Sequence, residues 1–77
     1  MDQFGDIRRK KLLKALAKVH GLSFYEGSRH TKVTCVHSGR VTMIPRHRTV
    51  WAPTFREIVK QLRAMELFDV DRWLKEL

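Results

Sequence analysis

The chain is poor in the residues that staple or cradle. It has one cysteine, two prolines and four glycines among 77 residues. The lone Cys35 excludes an intramolecular disulfide, and no Cys-x-x-Cys pair exists to hold zinc, a usage that fits a reducing, cytoplasmic setting. Four scattered glycines cannot build a phosphate-cradling loop. No window approaches the ~18 apolar residues of a membrane span. The first apolar segment is broken repeatedly by lysine, unlike a secretory leader. Acidic residues are scarce where basic ones are dense: residues 1–53 hold eleven basic against three acidic side chains, whereas residues 54–77 hold five of each. Paired carboxylates for acid–base work are therefore missing from the basic part. The histidines at 20, 30, 37 and 47 lack metal-ligand spacing, so neither metal nor cofactor is expected.

What is present is charge. The net +8 resides entirely in the first 53 residues, and a basic front with a neutral rear suggests one face built for a polyanion. RNA, DNA, an acidic protein partner and a membrane surface are the candidates. Residues 1–77 make one domain, which at this size buries only roughly 60–65% of its unfolded surface.

Periodicity places the elements. "DIRRKKLLKALAKVHG" reads as a helix with Asp6 as N-cap and Gly21 just past its end. Leu12, Leu13, Leu16 and Val19 form its buried stripe, and Arg8, Arg9, Lys10, Lys11, Lys14 and Lys18 take the other faces. Such a lysine-rich face is usually just solvated. The stripe is needed for the core of so short a chain, which argues against a membrane role. Three strands follow in "LSFYE", "HTKVTCVH" and "VTMIP", joined by the turn signals Gly27-Ser28 and Ser38-Gly39. Next come a basic loop, "PRHRTVWAP", and a helix, "TFREIVKQLRAM", with Thr54 and Glu57 as a capping box. A short helix in "DVDRWLKEL" is capped by Asp69. The expected fold is α+β, in the order α-β-β-β-α with an extra C-terminal helix. The helices cover one face of a three-stranded antiparallel sheet and the other face stays open.

The middle strand carries the chemistry. Its period of two puts Thr31, Val33 and Cys35 toward the core and His30, Lys32 and Thr34 toward solvent, with His30 and Lys32 about 6.7 Å apart on one face. A histidine outward among cations suits metal-independent RNA cleavage. Imidazole near pKa 6.5 can take the 2′-hydroxyl proton or protonate the leaving 5′-oxygen, each transfer being worth about 10²–10⁴-fold. Cations beside the phosphorane stabilise its charge. Lys32, Arg29, Arg46 and Arg48 are the candidate phosphate holders, and His47 is either a loop residue or a second acid–base group. The same surface also suits a non-catalytic RNA-binding module of double-stranded-RNA-binding type. Nothing in the helices supports a major-groove recognition element.

"GSRHTKV", then "GRVTMIPRH", then a helix of the type "TFREIVKQL" resembles the HicA toxins of bacterial toxin–antitoxin modules, over about Lys11 to Leu62. The resemblance implies a fold like that of double-stranded-RNA-binding domains. It also implies a toxin that acts as a ribosome-independent mRNA interferase, with His30 in the place of the family's essential histidine. Gly27, Ser28, Arg29, Lys32, Arg46, His47 and Arg48 would line the RNA site. Many family members have Gly-Ser-His-His, and here Arg29 stands where the first of those histidines would be. A HicB-type antitoxin protein that covers the RNA-facing surface is the implied partner. The segment from Glu66 onward takes nothing from the resemblance.

Overall fold

The computed structural model describes residues 5–77. The fold is α+β. Strands β2 (Leu22–Glu26), β3 (His30–Cys35) and β4 (Val41–Pro45) form an antiparallel sheet in that order. They are preceded by a two-residue strand β1 (Ile7–Arg8) and helix α1 (Arg9–Leu16). They are followed by β5 (Thr49–Val50), α2 (Ala52–Met65) and α3 (Val70–Lys75). The alternation in β3 is obeyed at every position of its inner face: Thr31, Val33 and Cys35 are buried, and opposite them on β4 so are Thr42 and Ile44. Ile7 of β1, Val50 of β5, Leu12 and Leu16 of α1, Phe55, Ile58, Val59, Leu62 and Met65 of α2, and Val70 and Trp73 of α3 complete the core.

The short pair β1–β5 was not foreseen, and it revises both long helices. Ile7 pairs with Val50 and Arg8 with Thr49. The backbone at Arg8 is therefore extended, and α1 cannot begin before Arg9. At the other end, Lys18 and Val19 donate to the carbonyls three residues back, so the chain tightens into turns after Leu16. It leaves through Gly21 at φ +94°, where a Cβ would also meet the Leu67 methyls at 3.0 and 3.1 Å. Asp6, expected to cap α1, instead accepts from the Ala52 amide at 2.8 Å and caps α2 from a distance. The expected capping box of Thr54 and Glu57 is displaced too, because α2 starts two residues earlier with Pro53 in its first turn. Proline loses nothing there: the first amides of a helix have no intrahelical acceptor. The cap on α3 is as expected, Asp69 Oδ1 accepting from the Arg72 amide at 3.1 Å. Trp73 ties α3 to α1, its Nε1 donating to the Ala15 carbonyl at 3.3 Å and its ring meeting Phe68 edge-on at 5.7 Å.

Two buried threonines show how polar groups enter this core. Thr42 donates to Gln61 Oε1 at 2.5 Å and so fixes α2 on β4. Thr31 belongs to a larger set at the other end of the sheet. Among the described residues no buried side-chain nitrogen or oxygen lacks a partner, as burial without a hydrogen bond would cost about 1–3 kcal/mol each.

Candidate functional site

His30 opens β3 directly after the turn that begins at Gly27. That turn is held from three directions. The Gly27 amide donates to the His30 carbonyl at 2.9 Å, an approach so close that a Cβ on Gly27 would lie 3.0 Å from that oxygen. The Arg46 amide donates to the Arg29 carbonyl at 3.2 Å, and Arg46 Nη1 donates to the Gly27 carbonyl at 2.8 Å. Beneath the turn, Glu26 accepts from the Thr31 hydroxyl at 2.7 Å and lies 3.4 Å from Arg9 and 3.5 Å from Arg46. Arg9 also donates to Thr31 Oγ1 and, through Nε, to the Pro45 carbonyl at 3.1 Å. The Thr31 hydroxyl, with the two guanidinium groups adding to it, holds the Glu26 carboxyl below its ordinary pKa. The anion is thus the form that braces the turn.

The open face of the sheet carries His30, Lys32 and Thr34 in the middle. Tyr25 lies opposite Lys32 on β2, and Met43 lies opposite it on β4. His30 pairs with Pro45, and past Pro45 the chain turns through His47 to join β1 before entering α2. This path folds a cleft of about 580 Å³ over the His30 end of the face. Its lining comes from the sheet, His30, Met43 and Pro45, and from the segment that follows it into α2, His47, Thr49, Trp51 and Thr54. Among the described residues no carboxylate lines it, and the ionisable groups they contribute are two imidazoles. Both histidines are exposed.

Of the expected site residues, His30 and His47 therefore share one cleft. Gly27, Ser28 and Arg29 form the turn at its edge, and Lys32 stands one pair further along the face. Arg29, Lys32 and Arg48 are exposed and form no ion pair among the described residues. Arg46 differs: it clasps the turn, a duty it has before any phosphate contact. Arg9, read from the sequence as one more solvated cation, is instead a half-buried tie between α1, β3 and β4. A signal for this existed. Glu26 is the only acidic residue between Asp6 and Glu57, and a lone carboxylate in a basic stretch has cations to gather. Trp51 reads from the sequence, like Trp73, more readily as a core or partner-contact aromatic than as a base-stacking platform. It is 69% exposed on the cleft wall rather than packed in the core.

Other features do not converge in this way. A second cavity, about 470 Å³ between α1 and α3, has Val19, Phe68 and Trp73 in its lining, and its charges balance, Lys18 and Arg72 against Asp69 and Glu76. Cys35 is buried, and donation from the Ser38 hydroxyl and nearby amides lowers its thiol pKa against the opposing effect of burial. A sulfur enclosed by the core does not meet a substrate. Among the described residues no group of three His, Cys, Asp or Glu is arranged to hold a metal ion, and no helix is long and apolar enough to cross a membrane. No family model, no curated protein and no solved structure matches this chain.

Proposed function

We propose that this protein is a metal-independent endoribonuclease that cleaves mRNA, acting as the toxin of a HicA-type toxin–antitoxin module in the cytoplasm. The observation that carries the reading is the cleft shared by His30 and His47, with Arg29, Lys32 and Arg48 exposed nearby in the chain and in no ion pair among the described residues. The resemblance of "GSRHTKV" and "GRVTMIPRH" to the HicA motifs gives the class, and it rests on those residues alone.

The chemistry follows from two imidazoles on one cleft. His30, neutral, accepts the proton of a ribose 2′-hydroxyl as that oxygen attacks the adjacent phosphorus. His47, protonated, gives its proton to the 5′-oxygen as the P–O bond breaks. The products are a 2′,3′-cyclic phosphate and a free 5′-hydroxyl, and water is not consumed in this step. Arg29, Lys32 and Arg48 stabilise the dianionic phosphorane, where charge grows. Arg9, Glu26, Thr31 and Arg46 position the turn from which His30 projects. A HicB-type antitoxin would cover this face and silence it, its acidic groups meeting the same cations.

The test is a labelled transcript incubated with the purified protein in EDTA, with a DNA strand of the same sequence alongside. Cleavage of the RNA alone, leaving 2′,3′-cyclic phosphate ends, supports the reading. Activity lost in EDTA and restored by magnesium, or equal cutting of DNA, overturns it. RNA bound in the cleft but left uncut would make this a non-catalytic RNA-binding module.

A further inference from the structure

The structure points to more than a phosphate track beside His30. We infer that Trp51 and Met43 form a nucleobase-stacking subsite, so that the cleft grips one unpaired base of a single-stranded RNA next to the bond to be cut. The inference rests on reading this face as an RNA site, and it adds a residue that neither the motif nor the cation pattern contains.

Trp51 is the N-cap residue of α2, held there by the helix's first hydrogen bond, from the Phe55 amide to its carbonyl at 2.8 Å. The backbone is therefore fixed on a rigid element, while the indole is 69% exposed. Leaving an indole in water forgoes a large burial gain, and this chain has only one other, Trp73, which it buries to 9% exposure. Met43, 44% exposed, lines the same cleft and offers a polarisable thioether. The two apolar groups share the cleft with polar ones. Pro45, two histidines and two threonines complete the lining, and Arg29 and Lys32, in no ion pair among the described residues, stand on the turn and strand beside it.

A flat apolar plate next to cations that form no ion pair among the described residues matches one chemistry closely. A nucleotide presents a π-face and, one ribose away, a phosphate. An acidic peptide would satisfy the cations but has no flat face for the indole. A base lying on Trp51 brings its own ribose into the cleft that is also lined by His30, the group that needs its 2′-hydroxyl. Every base has a π-face, so the subsite selects unpaired RNA over duplex and tolerates any base.

The test uses the full chain carrying His30→Ala, so that RNA is bound and not consumed, with short oligoadenylate as probe. Trp73 is shielded, so quenching of the indole emission on titration reports Trp51. Adding Trp51→Leu is expected to weaken binding about five- to hundredfold, the range for loss of one stacked base. Trp51→Phe should recover most of it. An oligomer of the same length with abasic sugars should bind the parent as weakly as oligoadenylate binds the leucine variant. Equal affinity of the parent and Trp51→Leu proteins, or of abasic and intact oligomers, would overturn the subsite and leave the exposed indole to a protein partner. Cleavage by the protein with His30 intact is measured beside these titrations. Cleavage with Trp51-independent binding removes the subsite and keeps the ribonuclease. Trp51-dependent binding without cleavage removes the ribonuclease and keeps the subsite.

Discussion

Strand β3 has two faces made from six consecutive residues, and they live under different rules. The inner face, Thr31, Val33 and Cys35, is buried against α1 and α2, where each atom contributes through packing or a satisfied hydrogen bond. The outer face begins with His30 and Lys32, both exposed, where packing contributes little and charge and proton affinity matter. Neighbouring residues in the chain are therefore far apart in role. A substitution at an even-numbered position should change chemistry and leave stability alone, and one at an odd-numbered position should do the reverse. A bridge between the faces is the ring of Arg9, Glu26, Thr31 and Arg46, which includes the buried Thr31 hydroxyl and ends on the turn before His30.

The sharpest separation is His30→Ala. Cleavage of a transcript is expected to fall at least about a hundredfold, the contribution of one acid–base group, with the circular dichroism spectrum and the urea midpoint unchanged. A variant that cut at the wild-type rate, or that lost its fold, would break the division between the faces. Next in size is Ile44→Ala, opposite Thr31 on the inner face and fully buried. It should cost about 2–5 kcal/mol by denaturant titration, while the remaining folded protein cleaves at its former rate. A drop in activity per folded molecule would show that the core reaches the chemistry.

Smaller and on the outer face is Lys32→Ala. With the His30→Ala background to prevent turnover, the plot of log affinity for single-stranded RNA against log salt should flatten by about 0.7, the release accompanying one phosphate contact. Lys14→Ala, on the far side in α1, should leave the slope as it is. Equal flattening by both would move the RNA off the sheet face.

The smallest effect probes the bridge. Glu26 has a folded-state pKa below its ordinary value, held there first by the Thr31 hydroxyl. A lowered carboxyl pKa gives stability that is complete above the unfolded-state value and is lost as pH falls through the folded-state value. On acidification through and below the usual carboxylate range, the wild-type protein should therefore lose more stability than Glu26→Gln, and the two should converge at the acid end. Because the carboxylate is exposed, urea midpoints at stepped pH should show only a shallow difference, and amide exchange at Gly27 should show it more clearly. Parallel curves would mean that the ring does not depend on the anion.

Local pattern was enough for a good deal of this molecule. Alternation along "HTKVTC" assigned both faces of β3, because successive side chains of a strand must point to opposite sides whatever surrounds them. The same holds for the inward stripe of α2, for the cap at Asp69 and for His30 standing outward among cations: each is settled by residues within a turn or a pleat of one another. Tertiary structure decided whatever joins residues distant in sequence. Asp6 serves a helix 46 positions away, Arg9 reaches Thr31 and Pro45, and β1 finds β5 across most of the sheet. A two-residue strand has no period to read, and a side chain with several acceptors in reach takes the one the fold brings to it. Trp51 is the plainest case. Its sequence context left it a core or partner-contact aromatic, and the path of the segment after Pro45 brought it into the lining of the cleft that holds His30.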